Sequence, residues 1–223
     1  MMDGMHCYSL PDAEHLQVLA LESGPVATNG YMLLDMSKGC AIVIDAPHES
    51  IHVFSTFAAE KGVNIEALWL THSHWDHTAD AELCAEKHWE ILVHPLDAYR
   101  LLDQQAHTVW PLPFKLENVN PTGMINHGDI LTCGDWTCQV IHTPGHTEGG
   151  VCFVDHKHSC AFVGDTIFAG SIGRTDLPGG DTETLLSSIA QYLLPLPEET
   201  VVFPGHGPLT TIGEEQLNNP FLQ

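Results

Sequence analysis

The sequence predicts an α/β (α+β) fold of two mixed β-sheets with helices packed outside them. Short apolar or alternating runs bounded by Gly and Pro recur along the chain, helical stretches are interspersed among them, and the pattern falls into two rough halves. Strands are expected at about residues 15–21, 30–35 and 40–45, with Gly24-Pro25 and Lys38-Gly39 marking the turns. A helix over about 49–61, between Pro47 and Gly62, leads to a buried strand, Ala67-Leu68-Trp69-Leu70-Thr71. A second helix is expected from near His77 towards His88, followed by the strand Ile91-Leu92-Val93-His94. From 96 to about 128 the chain is less regular, with Trp110-Pro111-Leu112-Pro113-Phe114 at its centre. Strands return at about 130–133, 136–142, 151–154 and 160–163, then a helix at about 182–193 and a short strand, Thr200-Val201-Val202-Phe203. No low-complexity tract, charge block or Gly/Ser linker divides the 223 residues, so a single domain over 1–223 is expected.

Composition narrows the function. Seven Lys and Arg stand against 29 Asp and Glu, a formal net charge of −22. Such a surplus repels phosphate backbones and anionic lipid, so neither nucleic acid nor a membrane is an expected partner. No window reaches the length of apolar chain a spanning helix requires, and the N-terminus lacks a basic stretch followed by an apolar run. Seven cysteines are scattered over the chain, and the pair Cys133 and Cys138 lacks zinc-ribbon spacing. Reduced, mostly buried thiols and a cytoplasmic location are the expectation.

The chemistry gathers at His72-Ser73-His74-Trp75-Asp76-His77, which follows an apolar strand and precedes a helical stretch. Alternate spacing lets His72 and His74 aim at one point while Asp76 and His77 reach a neighbouring one. Imidazole and carboxylate together suit zinc or iron better than magnesium or calcium. The same arrangement, a polar residue flanked by Gly or Pro at the end of a strand, returns at His146 (Thr143-Pro144-Gly145-His146-Thr147), Asp165 (Val163-Gly164-Asp165-Thr166) and His206 (Phe203-Pro204-Gly205-His206-Gly207).

With these motifs the sequence resembles the metallo-β-lactamase superfamily of hydrolases over nearly its whole length. The resemblance implies a four-layer αβ/βα sandwich with two divalent metal ions at one edge, zinc first and iron or manganese as alternatives. It assigns His72, His74 and His146 to one ion, Asp76, His77 and His206 to the other, and Asp165 to both. Asp45, ending the strand Ile42-Val43-Ile44-Asp45, matches the carboxylate that orients a ligand histidine. Two divalent ions against two ligand carboxylates leave a surplus of about +2, enough to stabilise a bridging hydroxide and then an oxyanion.

Within the superfamily, Asp165 and the absent secretory leader point away from antibiotic hydrolysis. His74 stands where flavodiiron-type relatives carry Glu. Gly170-Ser171-Ile172-Gly173-Arg174-Thr175-Asp176-Leu177, with Thr211-Ile212-Gly213-Glu214-Glu215 and Asn219-Pro220-Phe221, resembles the short, glyoxalase-II-like branch. That branch hydrolyses S-D-lactoylglutathione or a related thioester to acid and thiol. The long form grips glutathione with a basic C-terminal helical domain, which the residues after His206 do not provide. Asp76 is the candidate for orienting the hydroxide, and Arg174 for meeting a substrate carboxylate, with an ion pair to Asp176 as its alternative role. Persulfide dioxygenase, a mononuclear iron oxidoreductase on the same scaffold with a similar Gly-Arg-Thr-Asp segment, is the alternative activity. Ala79-Asp80 departs from the Gly common in relatives.

Overall fold

The structure, a computed structural model, describes residues 5–10 and 13–223. The first half contains β1 (Met5–Leu10), β2 (Ala13–Ser23), β3 (Thr28–Asp35), β4 (Cys40–Ile44), α1 (Ser50–Lys61), β5 (Asn64–Trp69), α2 (Trp75–Thr78), α3 (Ala81–Glu86), β6 (Glu90–Val93), α4 (Ala98–Leu102) and β7 (Gly123–Met124). The second contains β8 (Ile130–Cys133), β9 (Trp136–His142), β10 (Val151–Asp155), β11 (Cys160–Gly164), β12 (Ile167–Phe168), β13 (Ser171–Ile172), α5 (Thr182–Ser188), β14 (Val201–Pro204), β15 (Thr210–Thr211) and α6 (Ile212–Asn218). Strands β1 to β7 form one sheet in chain order, antiparallel up to β4 and parallel from there. The second sheet has the order β15-β14-β11-β10-β9-β8, with β11 and β14 parallel and the other neighbours antiparallel. Strands β12 and β13 form a separate ribbon.

Period-two alternation builds the layers. In β2, Val18 and Ala20 face the space between the sheets, while Leu19 and Leu21 face the helices. Val18, Leu33, Ile44 and Trp69 of the first sheet share the central core with Trp136, Phe153, Phe162 and Phe203 of the second. Ile51, Phe54 and Ala58 of α1 cover the outer face of the first sheet. Leu185 of α5, Ile189 and Leu193 of the π-helical turn Ile189–Leu193, and Ile212 of α6 cover the second. Helix, sheet, sheet and helix therefore stack in four layers, as expected. Both faces of β3 and β4 are enclosed, so all their residues are buried and neither reads as a simple alternation. Burying one side chain the size of Phe54 contributes roughly 1.5–3 kcal/mol.

Several elements differ from the expectation. The helix expected from His77 to His88 is two short helices, because the chain turns at Ala79-Asp80. Asp80 is 5% exposed and accepts from the backbone N–H groups of Glu49 (3.1 Å) and Ile51 (3.1 Å), satisfying the start of α1. Its departure from Gly therefore has a structural role. The helix expected over 182–193 is α-helical only to Ser188. Strands β1, β12, β13 and β15 and helix α6 were outside the expectation. β1 is an edge strand with four exposed residues, and the other strands have two residues each, so none leaves an apolar period. Among the described residues no helix is long and apolar enough to cross a membrane.

Asp35, at the end of β3, joins the two sheets. Its carboxylate accepts from Ser37 N (2.8 Å), Ser37 Oγ (2.6 Å), Lys38 N (3.0 Å) and, across the core, Asp135 N (2.8 Å). Burial pushes its pKa up, and these donors more than reverse that, holding it below its ordinary 3.8. A depressed carboxyl contributes stability that is complete above its unfolded value and lost as pH falls through the lower folded one. Asp35→Asn places an amide against at least one backbone donor. We expect a loss of about 1–3 kcal/mol at neutral pH and a flatter decline in stability below about pH 4. Urea midpoints measured from pH 7 to pH 3 test this; unchanged midpoints would refute it.

Candidate metal centre

Four turns converge at one edge of the sandwich. Trp69 ends β5, and the following turn carries His72 and His74 before Asp76 and His77 enter α2. His146 follows β9, Asp165 follows β11 and His206 follows β14, so both sheets contribute. Two of the flanking glycines are sterically required. At Gly145, φ is +129° and a Cβ would strike the backbone of Leu185; at Gly205 a Cβ would strike Asp165.

All seven expected ligands are brought together, in two groups. Donor atoms of His72, His74 and His146 lie within 4.8 Å of one another, as do those of Asp76, His77 and His206. His146 Nε2 is 3.2 Å from His72 Nε2 and 2.8 Å from His74 Nδ1. His206 Nε2 is 3.2 Å and His77 Nε2 3.4 Å from Asp76 Oδ2. Asp165 stands between the groups. Its oxygens lie 3.5 Å from His146 Nε2, 3.3 Å from His77 Nε2 and 3.6 Å from His206 Nε2.

Outer hydrogen bonds fix which ring atoms face inward. His146 Nδ1 donates to Arg174 O (2.7 Å), and His77 Nδ1 donates to Asp45 Oδ2 (2.7 Å). Thr71 Oγ1 donates to Asp45 Oδ2 (2.7 Å), so at 3.1 Å it accepts from His72 Nδ1. The Nε2 lone pairs of His72, His77 and His146 are thereby turned into the cluster. His77 Nε2 and Asp165 Oδ1 are buried and have no hydrogen-bond partner. Leaving buried polar atoms without partners is costly, and a cation held here would engage both. This donor set fits two divalent ions.

Titration behaviour distinguishes the groups. Burial and the neighbouring imidazoles hold His72 well below its ordinary range and His74 at about 3, so both present neutral nitrogens. Burial also pushes His77 down, but Asp76, Asp165 and Asp45 around it more than reverse this. Burial pushes Asp76 up; His77 and His206 outweigh it and hold the carboxyl at about 2. Burial and His77 act on Asp165 in the same opposing way, with the net shift downward. His206 is pushed down by burial and raised further by Asp76 and Asp165. Protons on His77 and His206 compete with a cation, whereas His72 and His74 offer neutral nitrogens to one at neutral pH.

Arg174 lies at the pocket rather than within the cluster. Its Nε and NH2 donate to Asp176 at 2.8 Å each, and its guanidinium sits 5.4 Å from the ring centroid of Trp110. Two positioning residues left no trace in the motif pattern. Asp97 is fully buried and accepts from Ser73 N (2.9 Å), Thr147 Oγ1 (3.0 Å), Gly149 N (2.7 Å) and Arg100 (3.0 Å), tying the His72–His74 turn to the His146 turn. Thr28 Oγ1 donates to Asp76 Oδ2 at 2.8 Å. Both act through backbone groups or a single hydroxyl, which have no characteristic spacing in sequence.

The cluster floors a cavity of about 400 Å3 lined also by Val26, Trp75, Trp110, Leu112 and Leu177. The loop that forms one wall is held in place. Gln104 donates to Glu117 O (2.7 Å), and Phe114 stacks on His48 at 3.7 Å with the planes 14° apart.

The sequence model described as "Metallo-beta-lactamase superfamily" matches residues 23–206. A curated relative, "Hydroxyacylglutathione hydrolase GloC" of Haemophilus influenzae, is 36% identical over 203 residues, 87% of this chain and 92% of the relative. Of the solved structures, "BLEG-1 B3 metallo-beta-lactamase" superposes with a TM-score of 0.83 at 34% identity, over 92% of this chain and 99% of that one. "TTHA1623 in a di-iron-bound form" gives 0.80 at 36% identity, over 91% and 99%.

Asp45→Asn tests how the cluster is held. Asn tolerates the left-handed backbone of Asp45 (φ +59°), but its one amide oxygen cannot serve both the Oδ1 partner, Thr71 N, and the Oδ2 partners, Thr71 Oγ1 and His77 Nδ1. We expect affinity for Zn2+ to fall by roughly 10–100-fold with the fold retained. Competition titration against a chromogenic chelator measures this, and unchanged affinity would remove Asp45 from the site.

Proposed function

This chain belongs to the metallo-beta-lactamase superfamily, and from that premise we propose that it is a metal-dependent thioesterase of the glyoxalase II type. Its substrate is S-D-lactoylglutathione or a related thioester, cleaved to acid and thiol. The observation that carries the reading is a set of five imidazoles and two carboxylates, with unpartnered inward acceptors, at the floor of an open cavity. The similarity to GloC across most of both chains supports the choice of thioester.

In this reading His72, His74 and His146 hold one divalent ion, Asp76, His77 and His206 the other, and Asp165 contacts both. Zn2+ suits the donor set; Fe2+ and Mn2+ suit it as well, and the similarity to a chain solved in a di-iron-bound form makes iron a direct competitor. Two such ions supply, when bound, an acidified water and a Lewis acid for the carbonyl oxygen.

The chain's own residues do the rest. Asp76, steadied by the Thr28 hydroxyl, orients the attacking water at the cavity floor. Asp45 and the carbonyl of Arg174 keep His77 and His146 in their inward tautomers, so neither ring reorganises during the reaction. A thiolate is a good leaving group, so no general acid is required. Cys152 is no rival nucleophile, because it is fully buried and its thiol is pushed up to about 11 by burial. Asp45 is a third carboxylate against the ions, which lowers the expected surplus from about +2 to about +1.

Metal analysis of the purified chain, with thiol release from S-D-lactoylglutathione and oxygen uptake with glutathione persulfide, tests the reading. We expect two ions per chain and thiol release without oxygen uptake. Asp165→Ala is expected to lose at least about a hundredfold in turnover together with bound metal. One iron per chain with oxygen consumption would establish the persulfide dioxygenase instead. Hydrolysis of a β-lactam with no thioester turnover would assign the pocket to the chemistry named for BLEG-1.

A further inference from the structure

Resting on the thioesterase reading, we propose that the pocket selects uncharged thioesters with an apolar chain, and that Trp110 is the residue that sets this preference. A glutathione thioester carries carboxylates at both ends of its peptide and needs free cations to meet them. Among the described residues lining the cavity, Arg174 is the one Lys or Arg. The Nε/NH2 edge of its guanidinium is taken by Asp176, and its flat face lies on Trp110, which leaves NH1 alone facing outward. Arg100, behind the same wall, is buried and engaged by Asp97, Glu148 and the carbonyl of Pro178. One half-engaged guanidinium at the mouth cannot meet the two carboxylates of a glutathione thioester, and the acidic surface outside adds repulsion.

What the walls do offer is apolar area. Trp110 is 42% exposed and Val26 46% exposed, although both are apolar and both line the cavity, and Leu112 and Leu177 stand with them. Exposed apolar side chains gathered round a polar floor mark a binding site rather than a leftover of packing. The strap that carries Trp110 is also set before ligand arrives. Pro111 and Pro113 fix its backbone, Phe114 stacks on His48 and faces Trp75 at 6.2 Å, and Arg174 covers Trp110. A preformed apolar wall beside the reacting carbon suits an alkyl chain.

The deciding experiment reads binding rather than turnover. The Zn2+-loaded full chain is titrated by calorimetry with S-alkyl-N-acetylcysteamines, uncharged thioethers that cannot be hydrolysed, and with S-hexylglutathione. From propyl to hexyl, each methylene is expected to tighten binding about threefold. The uncharged hexyl ligand is expected to bind at least as well as S-hexylglutathione. Trp110→Ala should flatten the chain-length dependence with metal content unchanged, and Trp110→Phe should restore it. Binding of S-hexylglutathione about tenfold tighter, or affinity indifferent to chain length, would overturn the proposal. A chain that binds the apolar series but releases thiol from no thioester would sink the thioesterase reading alone and leave the pocket's preference standing.

Discussion

Ring nitrogens of His72, His77 and His146 and the carboxylates of Asp76 and Asp165 are crowded against one another, and the rest of the fold has to hold them there. His72 Nε2 and His146 Nε2 stand 3.2 Å apart, and His77 Nε2 and Asp165 Oδ1 are buried without partners. Left to relax, these groups would rotate towards water or collect protons. The scaffold prevents rotation by engaging the far side of each ring. Asp45 holds His77, the Thr71 hydroxyl holds His72, and a backbone carbonyl holds His146. What remains facing inward from these three rings is Nε2, the atom a divalent cation takes once any proton there has left.

Holding the candidate ligands in register is a problem between sheets, since His72 to His77 follow a strand of one sheet and His146, Asp165 and His206 follow strands of the other. The structure fastens the seam at both ends of β3. At the site, Asn29 N donates to Gly205 O (2.8 Å), and Asn29 Nδ2 donates to Pro204 O (3.0 Å) and Gly207 O (2.9 Å). At the other end, Asp35 reaches Asp135, and Trp136 Nε1 donates to Leu34 O (3.0 Å). Asp97 closes the remaining gap between the His72–His74 and His146 turns. Aromatic side chains fill the core between these fastenings, so the sheets have little freedom to slide.

This division explains what could be read from the sequence. Strand alternation reports burial directly, which made the two sheets legible, and ligand chemistry at Gly- or Pro-flanked strand ends made His72, His74, Asp76, His77, His146, Asp165 and His206 stand out. Asp97 and Thr28 did not, and Asp80 stood out only as a departure without a role. Each works by accepting from, or donating to, a group distant in sequence, and any short polar residue at such a position looks like an ordinary turn or cap. Strand β1 and helix α6 were illegible for another reason. Their exposure removes the apolar period; Leu217 of α6 is 75% exposed. Arg174 was legible as an uncommon basic residue, but its two possible partners, a substrate or Asp176, are equivalent until its side chain is placed.

The contrast between floor and walls carries a last consequence. Apolar side chains around the cavity exclude water, which strengthens every electrostatic interaction at the floor, attractive or repulsive. A polar wall of lysines would have gripped an anionic substrate but would also have competed with the cations for the same carboxylates. Pairing one edge of Arg174 with Asp176 and laying its face over Trp110 keeps at the mouth a cation that is half engaged before any ligand arrives. The many acidic residues elsewhere act in the same direction: they raise the local concentration of cations and disfavour retention of an anionic product. A neutral ester entering and a carboxylate leaving is the traffic such a field promotes.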